Sequence, residues 1–372
     1  MPSYHDLRPD ADFVDRDYER VFPGMTVPER ARCSDGLLRL RAVLNATVAP
    51  RKTEGNLLVA SWNIKEFGHT TQRLPEAYFY IAEILGAFDL IAVQEVKSTL
   101  TDLHLVMRLL GPGWRYLVND ITDGASGNSE RSAYIFNAGR VQLSGLAGEI
   151  SLWDEITRDS PLGLRQLKRA PYVTGFRAGW KEFAMVNLHL HPGDDADDVA
   201  LRGEEIRLLL KALKAKRREV WSDNLILVGD WNLYEDDDQP ALQALADAGY
   251  RECSGLQGKR TNVSRSQAYD RMFFTHNTYF QMEEAANGLE RGDVLDPFDA
   301  VYRESDLRAY RPTMLAQYGG SRDLAGDDTA LARYFRHPWR KNQLSDHFPI
   351  WVSLVTDQAD KFLKDKRDAL AG

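Results

Sequence analysis

The chain has 372 residues, 43% of them hydrophobic and 27% charged, with a net charge of −8 and a pI of about 5.6. That balance excludes an intrinsically disordered chain, and the lack of any run of about 18 apolar residues excludes a membrane-spanning helix. It also excludes a surface that is basic all over, so a polyanionic partner would have to be held by a local basic patch or through a bound cation.

In chain order, the N-terminus MPSYHDLRPDADFVDRDYER is polar and acidic, without the apolar core of a secretory signal, and predicts a cytoplasmic protein. Residues 1–54 read as an extension with a helix near Asp35–Leu44 that stops before Pro50. Cys33 and Cys253 lie far apart and lack metal-ligand spacing; two free thiols are the simpler reading, one long-range disulfide the other. From Asn56 onward, short apolar runs predict strands at Leu57–Asn63, Leu90–Glu95, Ser132–Phe136, Phe183–Leu190, Leu225–Gly229, Met272–Thr275 and Phe348–Val355. Helical patterns lie between them at Glu76–Phe88, Leu100–Leu110, Val199–Lys216 and Ala241–Ala248. In the third of these, Leu201, Ile206, Leu209, Leu210 and Leu213 keep a 3.6-residue period. Helices interleaved with strands, but with β-only stretches as well, predict two packed sheets flanked by helices rather than one parallel sheet.

A catalytic domain is thus expected over 55–356, interrupted at about 288–342 by a long Arg- and Tyr-rich stretch without a clear period, which reads as an insertion. Residues 303–341 carry eight Lys/Arg against five Asp/Glu, with Tyr310, Tyr318, Tyr334 and Trp339 interleaved. That mixture suits a substrate-side lid over nucleic acid and, equally, a solvated cap. Residues 357–372 read as a charged surface helix.

The chemistry-bearing residues sit where apolar runs end. Asn63 ends LLVASWN and Glu95 ends DLIAVQE. Either alone is an ordinary polar strand terminus; together they offer an amide and a carboxylate, and a hard cation such as Mg²⁺ is held by one or two carboxylates plus water and phosphate. In NLILVGDWN, Asp230 and Asn232 could make a simple turn, yet side chains two apart on extended backbone point the same way. A carboxylate there can take a proton from water while the amide holds the water or a phosphate oxygen. Asp346 and His347 in LSDHFPIWVSLV precede a strand; adjacent side chains diverge, so another carboxylate must orient the imidazole. Asp270 in AYDRMFF is the candidate, its plain alternative being an ion pair with Arg271. In FAMVNLHLHP, His189 ends the apolar run and is preferred to His191, which precedes a proline and reads as a loop residue.

The ordered set Asn, Glu, His, Asp-X-Asn, Asp, Asp-His resembles the endonuclease/exonuclease/phosphatase superfamily over about residues 56–355, and pancreatic-type deoxyribonucleases within it. The segments SWNIKEFG, LIAVQEVK, WKEFAMVNLH, LILVGDWN, AYDRMFF, DPFDAVY and LSDHFPI carry the likeness. It implies a four-layer α/β/β/α sandwich of two mixed sheets. It further implies that Glu95 binds the metal with Asn63 and Asp346 nearby, and that Asp230 and Asn232 orient the attacking water and the phosphate. His347 would pair with Asp270, and His189 with Glu130 of SERSAYIF; which histidine is acid and which base stays open. Arg169 in KRAPYV and Lys97 would contact phosphate. Lys97 stands where the resemblance has a groove-reading arginine, keeping charge without the fork, and Asn128 where it has a sugar-stacking tyrosine. The implied cofactor is Mg²⁺ or Mn²⁺, with Ca²⁺ as a structural or auxiliary ion. The expected activity is a nuclease acting on DNA or RNA phosphodiesters, with no membrane and no stable protein partner legible. A phosphatase or phospholipid phosphodiesterase of the inositol-phosphate or sphingomyelin type shares the same apparatus. A scaffold that kept only the fold would show a lost chemical residue, and none is lost.

Overall fold

A computed structural model describes residues 2–8, 20–68, 72–121, 129–216, 222–234 and 237–371. The strands are β1 (Asn56–Phe67), β2 (Leu90–Lys97), β3 (Trp114–Val118), β4 (Glu130–Asn137), β5 (Gln142–Glu149), β6 (Tyr172–Ala178), β7 (Lys181–His189), β8 (Leu225–Asp230), β9 (Tyr250–Glu252), β10 (Asp270–Thr275), β11 (Gly292–Val294) and β12 (Ile350–Val355). They form two six-stranded sheets, ordered β11-β12-β1-β2-β4-β3 and β5-β6-β7-β8-β10-β9. Each sheet is mixed: β1–β2 and β7–β8 pair in parallel, the other pairs antiparallel. The helices are α1 (Val27–Thr47), α2 (Pro75–Gly86), α3 (Thr101–Leu110), α4 (Asp154–Thr157), α5 (Ala196–Lys216), α6 (Gln239–Asp247), α7 (Leu307–Gln317), α8 (Asp328–Tyr334), α9 (Arg340–Gln343) and α10 (Ala359–Ala371).

The two-residue period of the strands sorts the core into layers. Leu57 and Val59 of β1, Tyr134 and Phe136 of β4, Phe183 and Met185 of β7, Ile226 and Val228 of β8, and Met272 and Phe274 of β10 fill the space between the sheets. The alternate residues Leu58, Ala60, Trp62, Ile91 and Val93 face α1, α2 and α3. Ala184, Val186, Leu225 and Leu227 face α5 and α6 on the other side. The result is the expected helix–sheet–sheet–helix sandwich. Continuing the inter-sheet parity along each strand leads from these apolar residues to Asn63, Glu130, His189, Asp230 and Asp270, all at one end of the sandwich.

Residues 288–342 depart from the sequence reading. They are ordered by α7, α8, a π-turn at Phe335–Trp339 and α9. Tyr310 (2% exposed) and Trp339 (0%) are core, joining Tyr302, Met314, Leu331 and Phe335 against α1 and α2. The periodic signal was broken because Pro312 and Pro338 lie inside helical turns. Two of the four aromatics assigned to a stacking surface therefore serve packing, while Tyr318 and Tyr334 remain half-buried against each other. The extension likewise carries a longer helix than its composition suggested, opened by a capping box in which Thr26 and Glu29 reciprocate. Cys33 and Cys253 are buried free thiols. Among the described residues no helix is long and apolar enough to cross a membrane.

Candidate active site

Sheet pairing lays the site out as two facing rows. On the second sheet, His189, Asp230 and Asp270 stand side by side, Asp230 being in register with His189 on one side and Asp270 on the other. On the first sheet, Asn63, Glu130 and the His347 segment before β12 form the opposite row. The rows interlock residue by residue across the gap. Asn63 Nδ2 donates to Asp230 Oδ2 at 2.9 Å. His347 Nδ1 meets Asp270 Oδ2 at 2.8 Å, and His189 Nδ1 lies 3.3 Å from Glu130 Oε2. Both imidazoles turn their other nitrogen toward one carboxylate oxygen: Nε2 of His189 and of His347 are 3.5 and 3.8 Å from Asp230 Oδ2.

Glu95 reaches the site by a different route. Strict alternation would send it to the helix side with Val93. Register shifts between Asn63 and Phe67 in β1 and between Val93 and Val96 in β2 break the alternation, and Glu95 sits at φ +59°. Such bulges re-aim a side chain, at a backbone cost of order 1–3 kcal/mol. Its Oε1 then accepts from Asn63 Nδ2 at 3.0 Å and its Oε2 from the Glu66 backbone N at 2.9 Å. Asn232, at φ +51°, donates its backbone N to Asp230 Oδ1 at 3.1 Å and its Nδ2 to the Leu190 carbonyl at 3.1 Å. Gly229 has φ +140° and a Cβ there would collide with the Leu188 carbonyl, so Gly is required for β8 to bring Asp230 against β7.

Electrostatics divide the row. Burial raises the Asp270 carboxyl above the ordinary aspartate range, and the His347 charge offsets part of that rise. For His347 burial works against the charged form, but Asp270, Asp230 and Asp346 outweigh it and raise the imidazole well above its usual 6.5. With three carboxylates around one ring, the pair stands as carboxylate and imidazolium. Burial would raise Glu130 too, yet its contact with His189 and the charges of His189, Arg169 and Lys97 hold it well below the ordinary carboxylate range. Arg169 Nε and Lys97 Nζ reach Glu130 at 2.8 and 3.0 Å. Both expected phosphate contacts are thus anchored on Glu130 at the edge of the site. Asp346 diverges from His347, as adjacent side chains must, and lies 3.6 Å from Lys65 Nζ. Its carboxyl is lowered, His347 and Lys65 overcoming the effect of burial. Arg271 turns away from Asp270 and pairs with Glu252 at 3.0 Å. His191 is engaged outside the row, with Asp198 at 2.6 Å and Lys168 at 2.9 Å. Asn128 lies outside the described residues.

The donors suit a hard cation. Asn63 Oδ1 is buried without a hydrogen-bond partner, and the half-buried Glu95 carboxylate is hydrogen-bonded to the same side chain. The described residues hold no cluster of three or more His, Cys, Asp or Glu arranged around a metal. That set fits Mg²⁺, which keeps several waters and takes one or two carboxylates plus substrate oxygens.

Several supporting residues escaped the sequence reading. Gln94 and Asn187, both 0% exposed, bond each other across the sheets at 2.7 Å beneath the site. Ser345 Oγ donates to the Asn63 carbonyl at 2.6 Å and accepts from the His347 backbone N at 3.1 Å. Arg202 binds Asp238 at 2.7 Å together with the carbonyls of His191 and Gly193, tying the loops after β7 and β8 to α5. Arg73 is buried with Nη1 2.6 Å from Asp102 Oδ2, and its other donors reach the carbonyls of Lys65, Gln343 and Leu344. It holds the end of β1 beside the segment leading to Asp346. Polarity alone gives none of these away; only Asn187, two before His189 on an apolar strand, had a signal in its parity. Arg73→Met strands the buried Asp102 charge and three carbonyls, so it should cost about 3–5 kcal/mol. Denaturant unfolding of the variant tests this, and a midpoint equal to that of the parent chain would remove Arg73 from the role.

No protein-family model matches the chain. It is 27% identical to horse (Equus caballus) deoxyribonuclease-1 over 344 residues, which cover 87% of this chain and 99% of the relative. It is 29% identical to the dog (Canis lupus familiaris) deoxyribonuclease-1 over 213 residues, 54% of this chain and 66% of that one. A deoxyribonuclease of Thioalkalivibrio sp. strain K90mix is 24% identical over 320 residues, 84% of this chain and 74% of the relative. The match to the dog protein spans just under two thirds of its length, and the match to the horse protein nearly all of it. Among solved structures, an endonuclease/exonuclease/phosphatase family protein of Bacteroides thetaiotaomicron superposes with a TM-score of 0.50 at 19% identity, over 81% of this chain and 98% of its own. That likeness is one of fold.

Proposed function

We propose, from the premise that the chain belongs to the endonuclease/exonuclease/phosphatase superfamily and is related in sequence to deoxyribonucleases, that it is a divalent-metal-dependent nuclease that hydrolyses phosphodiester bonds by in-line attack of water. The observation that carries this reading is the single Asp230 carboxylate oxygen set 3.5 and 3.8 Å from two imidazole nitrogens, each imidazole backed by its own carboxylate.

In this reading Asp230 takes the proton of the attacking water, and Asn232, fixed through the Leu190 carbonyl, keeps the Asp230 loop in place. The His347 imidazolium, held charged by Asp270, faces the negative charge that develops on the phosphate and can donate its Nε2 proton to an oxygen there. His189, oriented by Glu130, offers a second nitrogen on the far side of Asp230. Glu95 and the free Asn63 Oδ1 would hold the cation, with Asp346 as an outer carboxylate. A Mg²⁺ or Mn²⁺ ion bound there supplies Lewis-acid stabilisation of charge on the phosphate.

Incubating the protein with Mg²⁺ or Mn²⁺ and plasmid DNA, single-stranded DNA, RNA or an inositol phosphate panel should yield cleavage of nucleic acid that EDTA abolishes. Release of phosphate from the inositol panel with nucleic acid left intact would overturn the substrate class, and EDTA-resistant cleavage the metal dependence.

A further inference from the structure

The insertion runs straight into the site. α8, the π-turn and α9 are contiguous in sequence, and Asp346 follows three residues after α9 ends at Gln343. Along this segment Arg333, His337 and Lys341 recur every four residues, close to one helical turn, which places them on the same side of it. Arg333 and His337 are exposed and Lys341 is half-buried. Among the described residues, no ion pair engages any of the three. Burial, and then the charges of Lys341, Arg336, Arg340 and Arg333, push the His337 imidazole below its ordinary value. Lys341 also acts on Asp346, and Lys65 stands 3.6 Å from that carboxylate. The basic stripe therefore continues to the edge of the catalytic row.

Its outer end opens into a cleft of about 720 Å³ lined by Tyr318, Arg322, Leu324, Arg333, Tyr334 and His337. The two tyrosine rings are 4.9 Å apart, edge to face, and half-buried, so each can offer part of a ring to a planar group. Among the described residues, the nearby acids make no ion pair with Arg322 or Arg333. Asp323 accepts from the backbone N of Ala325 and Gly326, and Asp327 caps α8 through Ala330. The cleft beside β11 is different: there Lys259 pairs with Asp293, and Arg265 sits 2.6 Å from Asp296.

We propose that the Tyr318–Tyr334 cleft and the Arg333–His337–Lys341 stripe form a subsite for the flanking nucleotides of a single-stranded nucleic acid whose scissile phosphate lies at Asp230 and His347. The inference rests on the nuclease reading above. Unpaired bases can enter a concave site walled by tyrosines, whereas in a duplex they are stacked inside the helix; the unpaired cations meet the backbone phosphates.

Binding of the full chain to fluorescein-labelled oligothymidine of about 20 nucleotides, measured by anisotropy in EDTA, tests the subsite apart from cleavage. The double variant Arg322→Ala/Arg333→Ala should bind about tenfold more weakly at moderate salt. Its slope of log K against log salt should be shallower by about 1.4, or roughly 0.7 for each lost phosphate contact. Tyr318→Ala should weaken binding with the slope unchanged. Hydrolysis of bis(p-nitrophenyl) phosphate, too small to reach the cleft, should be the same in all three proteins. Unchanged affinity and slope in the double variant, no binding by the parent chain, or an equal loss on duplex DNA would overturn the subsite even if cleavage is seen. Arginine-dependent binding with no hydrolysis of any phosphodiester would instead overturn the nuclease reading.

Discussion

Replacing Asp230 with Asn should lower turnover on a phosphodiester at least about a hundredfold with little change in stability. The side chain is 2% exposed and fully engaged. Oδ1 accepts from Asn232 N at 3.1 Å, and Oδ2 accepts from Asn63 at 2.9 Å within reach of both imidazoles. The amide fills the same volume, so packing between the sheets survives. What it removes is the negative charge on Asp230 that both histidines face, and with it the proposed acceptor of the water proton. The measurement is kcat on a nucleic-acid substrate alongside a thermal melt. Full activity with an unaltered melt would sink the assignment. A low rate accompanied by collapse of the melt would show a structural role instead.

The His347–Asp270 pair should behave as one unit. His347→Asn is expected to cost about a hundredfold or more in kcat, Asp270→Asn at least about tenfold, and the double variant no more than His347→Asn alone. The two groups touch at 2.8 Å, and the Asp270 charge is the leading cause raising the imidazole above 6.5. With the imidazolium as the proposed active form, activity should fall as pH rises through that elevated pKa. Asp270→Asn should move this alkaline limb to lower pH, a shift that a merely structural role would not produce. Stability has the same sign. The charged ring contributes fully below the ordinary histidine pKa, and the contribution is lost as pH rises through the raised one. Rate profiles of the two single variants and the double variant decide the matter. Additive losses would break the unit, and an alkaline limb that stays in place in Asp270→Asn would show that Asp270 does not hold the imidazole charged.

Much of the architecture was legible because burial imposes a period on the chain. Alternating apolar residues in the strands around Leu57, Phe183, Ile226 and Met272, and the 3.6-residue recurrence from Leu201 to Leu213, dictate strands and a helix whatever surrounds them. Five strands carried no such mark. β5 is largely solvated and reads as a polar loop, β9 and β11 are three residues long, and β3 and β6 bring aromatic and Gly residues into short runs. The helices of the insertion were hidden by internal prolines, and the aromatic residues Tyr310 and Trp339 looked like a binding surface because hydrophobicity alone does not say which partner covers a ring.

Sequence by itself determined the chemical inventory and the face each residue occupies: parity places His189, Asp230 and Asp270 on the inter-sheet side wherever the strands lie. It also required Asp346 and His347 to diverge. Only the tertiary structure decided which residues meet. The pairs Asn63–Asp230 and His347–Asp270 span 167 and 77 positions, distances over which no local period carries information. They form because two twisted sheets pack with their strand ends together. The turn of Glu95 toward the site, against its parity, belongs there as well, since paired bulges in β1 and β2 are a property of two strands and not of either one.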